Sequence, residues 1–351
     1  MTDTIRFERH RQLSQLHNPM MGGQLDTQQI ELRRDPLTGR PSAFNPRLQD
    51  KVAMFHGASD EALIERLAEA GRERCFLCED RWMRMTPTYP DVVIPSGRVQ
   101  VGSCVLFPNL FPVAQVHAVV RVGDAHHLRL DAFDPSLLHD AFSAALQFVR
   151  ALARAEPSAR HLTLSANYLH PAGASIAHPH FQVVGGDLPL GTVAEMAAAC
   201  RQHRDAHGSD FWPDLVDAER EAAERVIDDV GPVTWIAAFS PRGANEVLGV
   251  LPARRHLLQL DDTDVTALCK GVSCVLKGYR AMGVSTFNFT LFSGPMGAGD
   301  DPMRCVMRII SRQNVYENYR TDDYFLQKQL GTELILTPPE QLAAMLRRSF
   351  E

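Results

Sequence analysis

Hydrophobic positions recur with two different spacings along the chain, and these spacings predict its helices and strands. Helical spacing predicts five helices, over residues 59–71, 134–155, 192–207, 263–282 and 342–348. Alternating or short apolar runs predict six strands, over residues 116–122, 161–167, 233–239, 246–252, 287–292 and 305–310. Residues 1–28 show no firm period, and we predict an arm or a few irregular turns there. The second half repeats the order of the first, so the pattern predicts an α+β fold.

A loop of small side chains lies between two of these segments, just before His178. Residues 172–177 carry little side-chain bulk, and Gly173 allows turns that other residues resist. Backbone N–H groups and the Ser175 hydroxyl of such a loop can approach an anion closely. The loop is therefore a candidate phosphate-binding element.

Two histidines follow the loop and are separated by one proline. In an extended segment His178 and His180 project from one face, roughly 6–7 Å apart. A neutral imidazole beside a phosphate-binding loop is a candidate nucleophile toward phosphorus. Gln182 lies on the same face and is suited to hydrogen-bond a phosphoryl oxygen. The alternative is that both histidines are partly buried structural residues at the start of a strand.

Cys75 and Cys78 form a CxxC motif directly after the first predicted helix. In a cytosolic protein this spacing indicates a redox pair or half of a metal site. A redox pair normally opens a helix after a strand, whereas this motif follows a helix. Zinc needs four ligands, and His126, His127 and His178 are available downstream. A CxxC motif without a metal remains the alternative.

Residues 31–47 predict a strand, a tight turn at Asp35-Pro36 and Thr38-Gly39, and a second strand. Arg34 and Arg47 lie on this hairpin, and a guanidinium group can bind phosphate through two parallel hydrogen bonds. The alternative is a solvated basic hairpin.

Composition and charge limit the classes of function. The chain has 351 residues and a formal net charge of −6, which argues against nucleic-acid binding because such proteins usually carry a basic surface. The first residues are polar and no run approaches the ~20 apolar residues of a membrane helix, so we expect neither a signal peptide nor a membrane span. Seven cysteines without disulfide-like spacing suggest the reducing cytoplasm.

The motif His178-Pro179-His180-Phe181-Gln182 resembles the His-Pro-His-x-Gln signature of the galactose-1-phosphate uridylyltransferase branch of the histidine-triad (HIT) superfamily, which includes related nucleotidyltransferases and phosphorylases. Residues 33–39 are similar to the opening of that family. The resemblance implies two HIT-like repeats, with antiparallel sheets and flanking helices. It divides the chain into an arm (1–28), a first repeat with the zinc site and the motif (29–210), and a second, degenerate repeat (211–351).

The resemblance also implies roles for individual residues. His180 would be the nucleophile, assisted by Gln182 and Ser175. Residues expected to bind the nucleotide or its phosphates, besides Ser175 and Gln182, are Asn167, Gly173, Arg34 and Arg47. The expected ligands of one structural zinc ion are Cys75, Cys78, His126 and His178, with His127 as the alternative to His126.

The chain departs from the resembled family in its second half. Family members often bind a second metal through a glutamate and C-terminal histidines. Glu195 matches the glutamate position, but Phe292 stands near one expected histidine, and residues 304–308 contain none. We therefore predict one metal at most. The segments that would shape the sugar pocket also match poorly, so we expect an acceptor other than galactose 1-phosphate.

Three functions compete at this point. The first is a nucleotidyltransferase that moves a nucleoside monophosphate, through a covalent nucleotidyl-His180, from a nucleotide-sugar-type donor to a phosphorylated small-molecule acceptor. The second is a phosphorylase of dinucleoside polyphosphates or nucleotide-sugars that uses the same intermediate. The third is a catalytically inactive, zinc-containing nucleotide-binding protein. Dimers are common in the resembled family, and a homodimer is one open alternative.

Overall fold

The computed structural model describes residues 4–319 and 321–351. Its strands are β1 (Arg9–Asn18), β2 (Gln24–Arg34), β3 (Pro41–Phe44), β4 (Val99–Val101), β5 (Cys104–Pro108), β6 (Val116–Arg121), β7 (His161–Tyr168), β8 (His180–Gly186), β9 (Val226–Val230), β10 (Val233–Ala237), β11 (Val247–Leu251), β12 (Phe287–Phe292), β13 (Cys305–Ser311) and β14 (Glu333–Ile335). Its α-helices are α1 (Val52–His56), α2 (Glu61–Arg72), α3 (Arg81–Met85), α4 (Pro135–Ala155), α5 (Gly191–His207), α6 (Phe211–Ala222), α7 (Asp262–Ala281), α8 (Phe325–Lys328) and α9 (Pro339–Phe350).

Ten of these strands form one antiparallel sheet in the order β4-β5-β6-β8-β7-β12-β13-β11-β10-β9. Read inward from its two edges, the sheet has the order β4-β5-β6-β8-β7 in the first half and the corresponding order β9-β10-β11-β13-β12 in the second half. In each half a long helix, α4 or α7, stands between the third and fourth strands along the chain. The halves meet where β7 pairs with β12. The α+β class with antiparallel strands and flanking helices is therefore confirmed, and the strand order is consistent with two repeats.

The two faces of this sheet differ because side chains alternate along each strand. On one face, apolar side chains of β6, β7, β8, β12 and β13 pack with α4 and α7 in a single core. Phe142 of α4, Phe181 of β8 and Phe289 of β12 contact one another in this core in edge-to-face and tilted arrangements, with 4.8 Å between the ring centroids of Phe181 and Phe289. On the opposite face the same central strands carry polar residues, and this polar face holds the predicted site.

Helices α5 and α6 cover the polar side of the sheet only over the second half. Apolar residues of both helices, such as Met196 and Trp212, pack against Ile236, Val250 and Val306. The predicted boundary between residues 210 and 211 falls between these two helices, and it stays a prediction.

A smaller sheet has the order β1-β2-β3-β14. Sequence analysis predicts an arm or irregular turns over residues 1–28, whereas β1 and β2 pair as a regular hairpin over ten residues each. The hydrophobic pattern does not predict this hairpin, because most of its side chains are exposed and buried and exposed positions do not alternate along it. The predicted strand-turn-strand over residues 31–47 is confirmed by β2 and β3. The small sheet attaches to the rest through Arg33, which pairs with Glu340 of α9 at 2.8 Å.

Within residues 4–319 and 321–351, the helices are all too short or too polar to cross a membrane.

Candidate active site and metal centre

The loop between β7 and β8 has a tightly turned first half and an open second half. Leu169 has a φ of +65°, and Gly173 a φ of +92° in the left-handed region that glycine tolerates. Ala172 N–H and Ala174 N–H both donate to Leu169 C=O, and Gly173 N–H donates to His170 C=O. These three N–H groups are therefore not available to a ligand.

The second half of the loop, residues 175–177, has free N–H groups. Across the described part of the chain, no acceptor takes a hydrogen bond from the backbone N–H of Ser175, Ile176 or Ala177. Ser175 is exposed. Consecutive N–H groups in such a bend form a concave anion-binding surface. The free N–H groups of the loop thus lie at residues 175–177 rather than at its glycine.

His180 is the first residue of β8 and lies directly after this loop. Its Nδ1–H donates to the backbone carbonyl of His178 at 2.9 Å. This bond fixes the neutral tautomer with the lone pair on Nε2, and Nε2 has no hydrogen-bond partner in the described residues. Burial lowers the pKa of His180, opposed by the bond to the His178 carbonyl. A neutral imidazole with one free nitrogen is the form that a nucleophile requires.

Gln182 lies two residues further along β8 and is oriented by His117 of β6. His117 is buried, and Val113 N–H donates to its Nδ1 at 3.2 Å. The ring proton is therefore on Nε2, which donates to Gln182 Oε1 at 2.8 Å. Gln182 Oε1 therefore accepts from His117, and the Gln182 amide N–H groups remain for a ligand.

Asn167 lies near the end of β7, in register with the start of β8. Its Oδ1 accepts a hydrogen bond from Asn288 Nδ2 of β12 at 2.8 Å. An added Cβ at Gly173 would lie 3.8 Å from Asn167 Nδ2, so the Asn167 side chain lies beside the loop's tight turn. Its hydrogen-bond partner comes from the second half of the sheet.

Four predicted zinc ligands, Cys75, Cys78, His126 and His178, come together at the other end of the loop. One ligand atom of each lies within 4.8 Å of the others, and all four residues are buried. Cys78 Sγ is 3.1 Å from His126 Nδ1 and 3.4 Å from His178 Nδ1. The alternative ligand, His127, instead stacks on Tyr168, with ring centroids 6.3 Å apart.

The surroundings of these residues fit a metal ion. His126 Nε2–H donates to Ala68 C=O at 2.9 Å, and His178 Nε2–H donates to Gly123 C=O at 3.1 Å. Both imidazoles therefore turn the Nδ1 lone pair toward the sulfur atoms, which is the arrangement typical of metal-binding histidines. Burial, followed by the neighbouring Cys75, raises the pKa of the Cys78 thiol to about 11, and burial lowers the pKa of His178 to about 4. A bound cation would favour the thiolate and the neutral imidazole, which are the ligating forms.

Arg34 is the last residue of β2 and Arg47 lies in the 3₁₀ turn after β3, away from the HPH motif. Arg47 Nη2 pairs with Asp26 Oδ1 at 3.3 Å, and Arg34 Nη1 donates to Gly39 C=O at 3.3 Å. Both side chains are mostly exposed. Within the described chain neither side chain contacts the loop or His180, so their nucleotide-binding role stays a prediction.

Glu195 of α5 is held by two arginines. Its carboxylate is 2.7 Å from Arg40 Nε and 2.9 Å from Arg242 Nη2. The pKa of Glu195 is lowered because the hydrogen bonds and charges of these arginines outweigh its partial burial. Two guanidinium groups therefore neutralise the carboxylate that the resemblance associates with a second metal.

Sequence reasoning missed His117, Asn288 and Arg312 as members of the site. His117 left a signal, since it is a polar residue inside an apolar strand segment and the neighbouring positions are buried. Asn288 and Arg312 left none, because only the pairing of β7 with β12 brings the second half of the chain next to the loop.

No protein-family model matches the chain. An uncharacterised protein of Archaeoglobus fulgidus is 26% identical over 329 residues, which covers 93% of this chain and 94% of that protein.

Solved structures share the fold. A GalT-like protein from Arabidopsis thaliana superposes with a TM-score of 0.68 at 17% identity, covering 90% of this chain and 98% of that one. An ADP-glucose phosphorylase from the same plant, solved with bound ADP-glucose, gives 0.70 at 18% identity, covering 91% and 98%. A uridylyltransferase gives 0.64 at 17% identity, covering 71% and 85%. The chain thus has the fold of GalT-like proteins, and the expected resemblance is confirmed at the level of the fold.

Proposed function

We propose that the protein is a nucleotidyltransferase that forms a covalent nucleotidyl-His180 intermediate. The observation that carries this proposal is the state of His180, whose Nδ1–H is engaged by the His178 carbonyl and whose Nε2 is free. The N–H groups of residues 175–177 and the Gln182 amide lie on the adjoining loop and strand. A histidine with only a structural role would not need a free nitrogen beside so many unengaged donors.

The first half-reaction transfers a nucleoside monophosphate to the enzyme. The Nε2 lone pair attacks the α-phosphorus of a nucleotide-sugar-type donor, a P–N bond forms, and the bond from that phosphorus to the bridging oxygen breaks. The sugar phosphate leaves with the bonding electrons. The imidazole keeps its Nδ1 proton, and the His178 carbonyl stabilises the positive charge that develops on the ring. The loop N–H groups, Ser175 and Gln182 stabilise charge on the phosphoryl oxygens.

The second half-reaction returns the nucleotidyl group to an acceptor. A phosphate oxygen of a phosphorylated small molecule attacks the phosphorus, a new P–O bond forms, and the P–N bond breaks, so that Nε2 recovers its lone pair. Poorly matching C-terminal segments support an acceptor other than galactose 1-phosphate. The two steps share one histidine, so ping-pong kinetics are expected.

The Cys75, Cys78, His126 and His178 group would hold one structural zinc ion. Four protein ligands leave no open position for a substrate, so the ion would stabilise the fold rather than supply a Lewis acid. His178 would then be fixed, and its carbonyl is the group that orients His180.

A phosphorylase is the second candidate, and one comparison favours it. A structure with a TM-score of 0.70 to this chain is an ADP-glucose phosphorylase. A phosphorylase would use the same intermediate, with inorganic phosphate attacking in place of a sugar phosphate. The second half-reaction separates the two functions. Removal of the nucleotidyl group from His180 by inorganic phosphate alone indicates a phosphorylase, and removal only by a phosphorylated metabolite indicates a transferase.

Intact-protein mass spectrometry tests the intermediate itself. The protein is incubated with UDP-, ADP-, GDP- and CDP-sugars and with dinucleoside polyphosphates, beside His180→Ala and, as a matched control, His207→Ala, which replaces an exposed histidine on α5. We expect a mass gain of one nucleoside monophosphate in the wild type and the control, and none in His180→Ala. No gain with any donor would contradict the proposal and favour a nucleotide-binding protein without catalysis.

A further inference from the structure

The amide of Asn288 connects the second half of the sheet to the loop beside His180. Asn288 lies on β12, on the polar face of the sheet. Its Nδ2 donates to Asn167 Oδ1 at 2.8 Å and to Ala172 C=O at 2.9 Å, with Ala166 C=O at 3.3 Å. The Asn288 side chain thus bonds both the Asn167 side chain and the Ala172 carbonyl in the loop's tight turn.

Arg312 orients the Asn288 amide. Arg312 Nη1 donates to Asn288 Oδ1 at 2.7 Å, which settles that the oxygen points toward Arg312 and the nitrogen toward the loop. Arg312 is itself fixed by Asp322, which accepts from Nε at 2.8 Å and from Nη2 at 2.7 Å. This two-bond pairing is the most directional ion pair that arginine forms. Only 15% of the Arg312 side chain is exposed.

We infer that Asn288 is a positioning residue, which holds the loop of residues 169–175 in the shape that directs the N–H groups of residues 175–177 toward a phosphoryl group. Every polar atom of its amide is engaged, and its acceptors all belong to β7 or the loop. Leu169 has a positive φ, which is strained for a residue with a side chain, so the turn needs an external constraint to persist. Asn288 supplies that constraint from the half of the sheet that lacks the HPH motif.

Hydrogen–deuterium exchange of the full chain, without any ligand, tests the inference directly. Asn288→Asp keeps the size of the side chain and an oxygen toward Arg312, but removes both N–H donors. We expect the hydrogen-bonded amides of residues 172–174 to exchange at least roughly tenfold faster, the factor that corresponds to losing one or two ordinary hydrogen bonds. Thr290→Val is the matched control, since Thr290 lies on the same face of the same strand and bonds Ser165 of β7 rather than the loop. The control is expected to leave exchange of the loop unchanged.

Asn288→Ala covers the case in which the aspartate variant does not fold. Loop exchange that stays at the wild-type rate in both variants, or that rises equally in Thr290→Val, would overturn the inference. For its kinetic part the inference rests on the proposed function, and the rate of adduct formation is measured with saturating UDP-glucose and ADP-glucose. We expect Asn288→Asp to lower that rate at least roughly tenfold and Thr290→Val to preserve it.

The two proposals fail in distinguishable ways. A wild-type protein that never acquires an adduct contradicts the proposed function, while loop exchange still decides the role of Asn288. Faster loop exchange with an unchanged rate of adduct formation would show that Asn288 only anchors the loop, and would overturn its role in positioning.

Discussion

At the scale of single residues, the site depends on which nitrogen or amide group each side chain presents. His180 donates from Nδ1 to the His178 carbonyl, and Gln182 accepts from His117. In both cases the protein engages one half of the side chain and leaves the other half for a ligand. The geometry therefore leaves a lone pair at Nε2 and N–H donors at the Gln182 amide, as the proposed attack on phosphorus requires.

Replacing Gln182 tests this division of the amide. Gln182→Glu keeps the oxygen that accepts from His117 but substitutes a negative oxygen for the free N–H donors. We expect adduct formation to slow by roughly 10²–10³-fold, as when one donor to a developing oxyanion is removed. Rapid-mixing mass spectrometry measures the rate. Gln115→Glu is a suitable control because Gln115 Oε1 only caps the Asp187 N–H outside the site; a rate as low as that of Gln182→Glu in this control would contradict the assignment.

Residue identities in the motif were predictable, and their partners were not. The spacing of His178, His180 and Gln182 indicated a shared face, and the structure places His180 and Gln182 at the start of β8 and His178 two residues before it. The loop N–H groups that remain free were not predictable. The backbone carbonyls of Leu169 and His170 accept hydrogen bonds from the N–H groups nearest Gly173, and this depends on the conformation of the turn. Such partners depend on backbone angles that residue types alone do not determine.

At the scale of elements, the proposed zinc ion would join three segments that are distant along the chain. The Cys75–Cys78 turn follows α2, His126 follows β6, and His178 precedes β8. The turn is also held by Arg121, whose Nε donates to Leu77 C=O at 2.6 Å. The ion would therefore fix the start of the strand that carries His180.

Metal analysis with a matched set of variants tests this account. We expect about one zinc ion per chain in the wild type, as for a closed four-ligand site, and little in Cys75→Ser. Cys274→Ser replaces a half-buried cysteine outside the group, and Glu195→Ala removes the carboxylate held by Arg40 and Arg242. Both are expected to retain the ion. The absence of zinc from wild type and Cys75→Ser alike would contradict the proposed site. Loss of zinc from Glu195→Ala would contradict the assignment of the ion to the Cys75, Cys78, His126 and His178 group alone.

Long amphipathic elements were predictable from the pattern, and short or doubly exposed ones were not. The helix expected over 134–155 is α4, and that expected over 263–282 is α7, each within one residue of the expected ends. The helix expected over 59–71 begins two residues later, at Glu61, because Asp60 supplies the cap by accepting from Leu63 N–H at 2.9 Å. The β1–β2 hairpin was missed because most of its side chains are exposed.

At the scale of the whole molecule, the two halves form one continuous sheet and share one core. Phe289 of the second half packs against Phe142 and Phe181 of the first. The pairing of β7 with β12 could not be predicted from the sequence, because local periodicity does not report which strands are neighbours. The same pairing brings Asn288 to the loop, which explains why that residue was missed.

This shared core predicts that the halves unfold together. Phe289→Ala removes a ring that is 1% exposed, and we expect the free energy of unfolding to fall by about 3–5 kcal/mol in a single transition. Chemical denaturation followed by circular dichroism measures the change. Phe111→Ala, at a position that is 79% exposed, should change the free energy by less than about 0.5 kcal/mol. Two separated transitions in the wild type would contradict a common core.

The measurement that tests the central claim most directly is the position of the phosphorus on the histidine ring. Protein labelled with ¹⁵N-histidine is converted to the nucleotidyl form with the donor that gives an adduct, and phosphorus–nitrogen correlation by NMR identifies the bonded atom. Because the His178 carbonyl holds the Nδ1 proton, we predict phosphorus on Nε2 of His180. Phosphorus on Nδ1, on another residue, or on no residue of a protein treated with the full panel of donors would contradict the account.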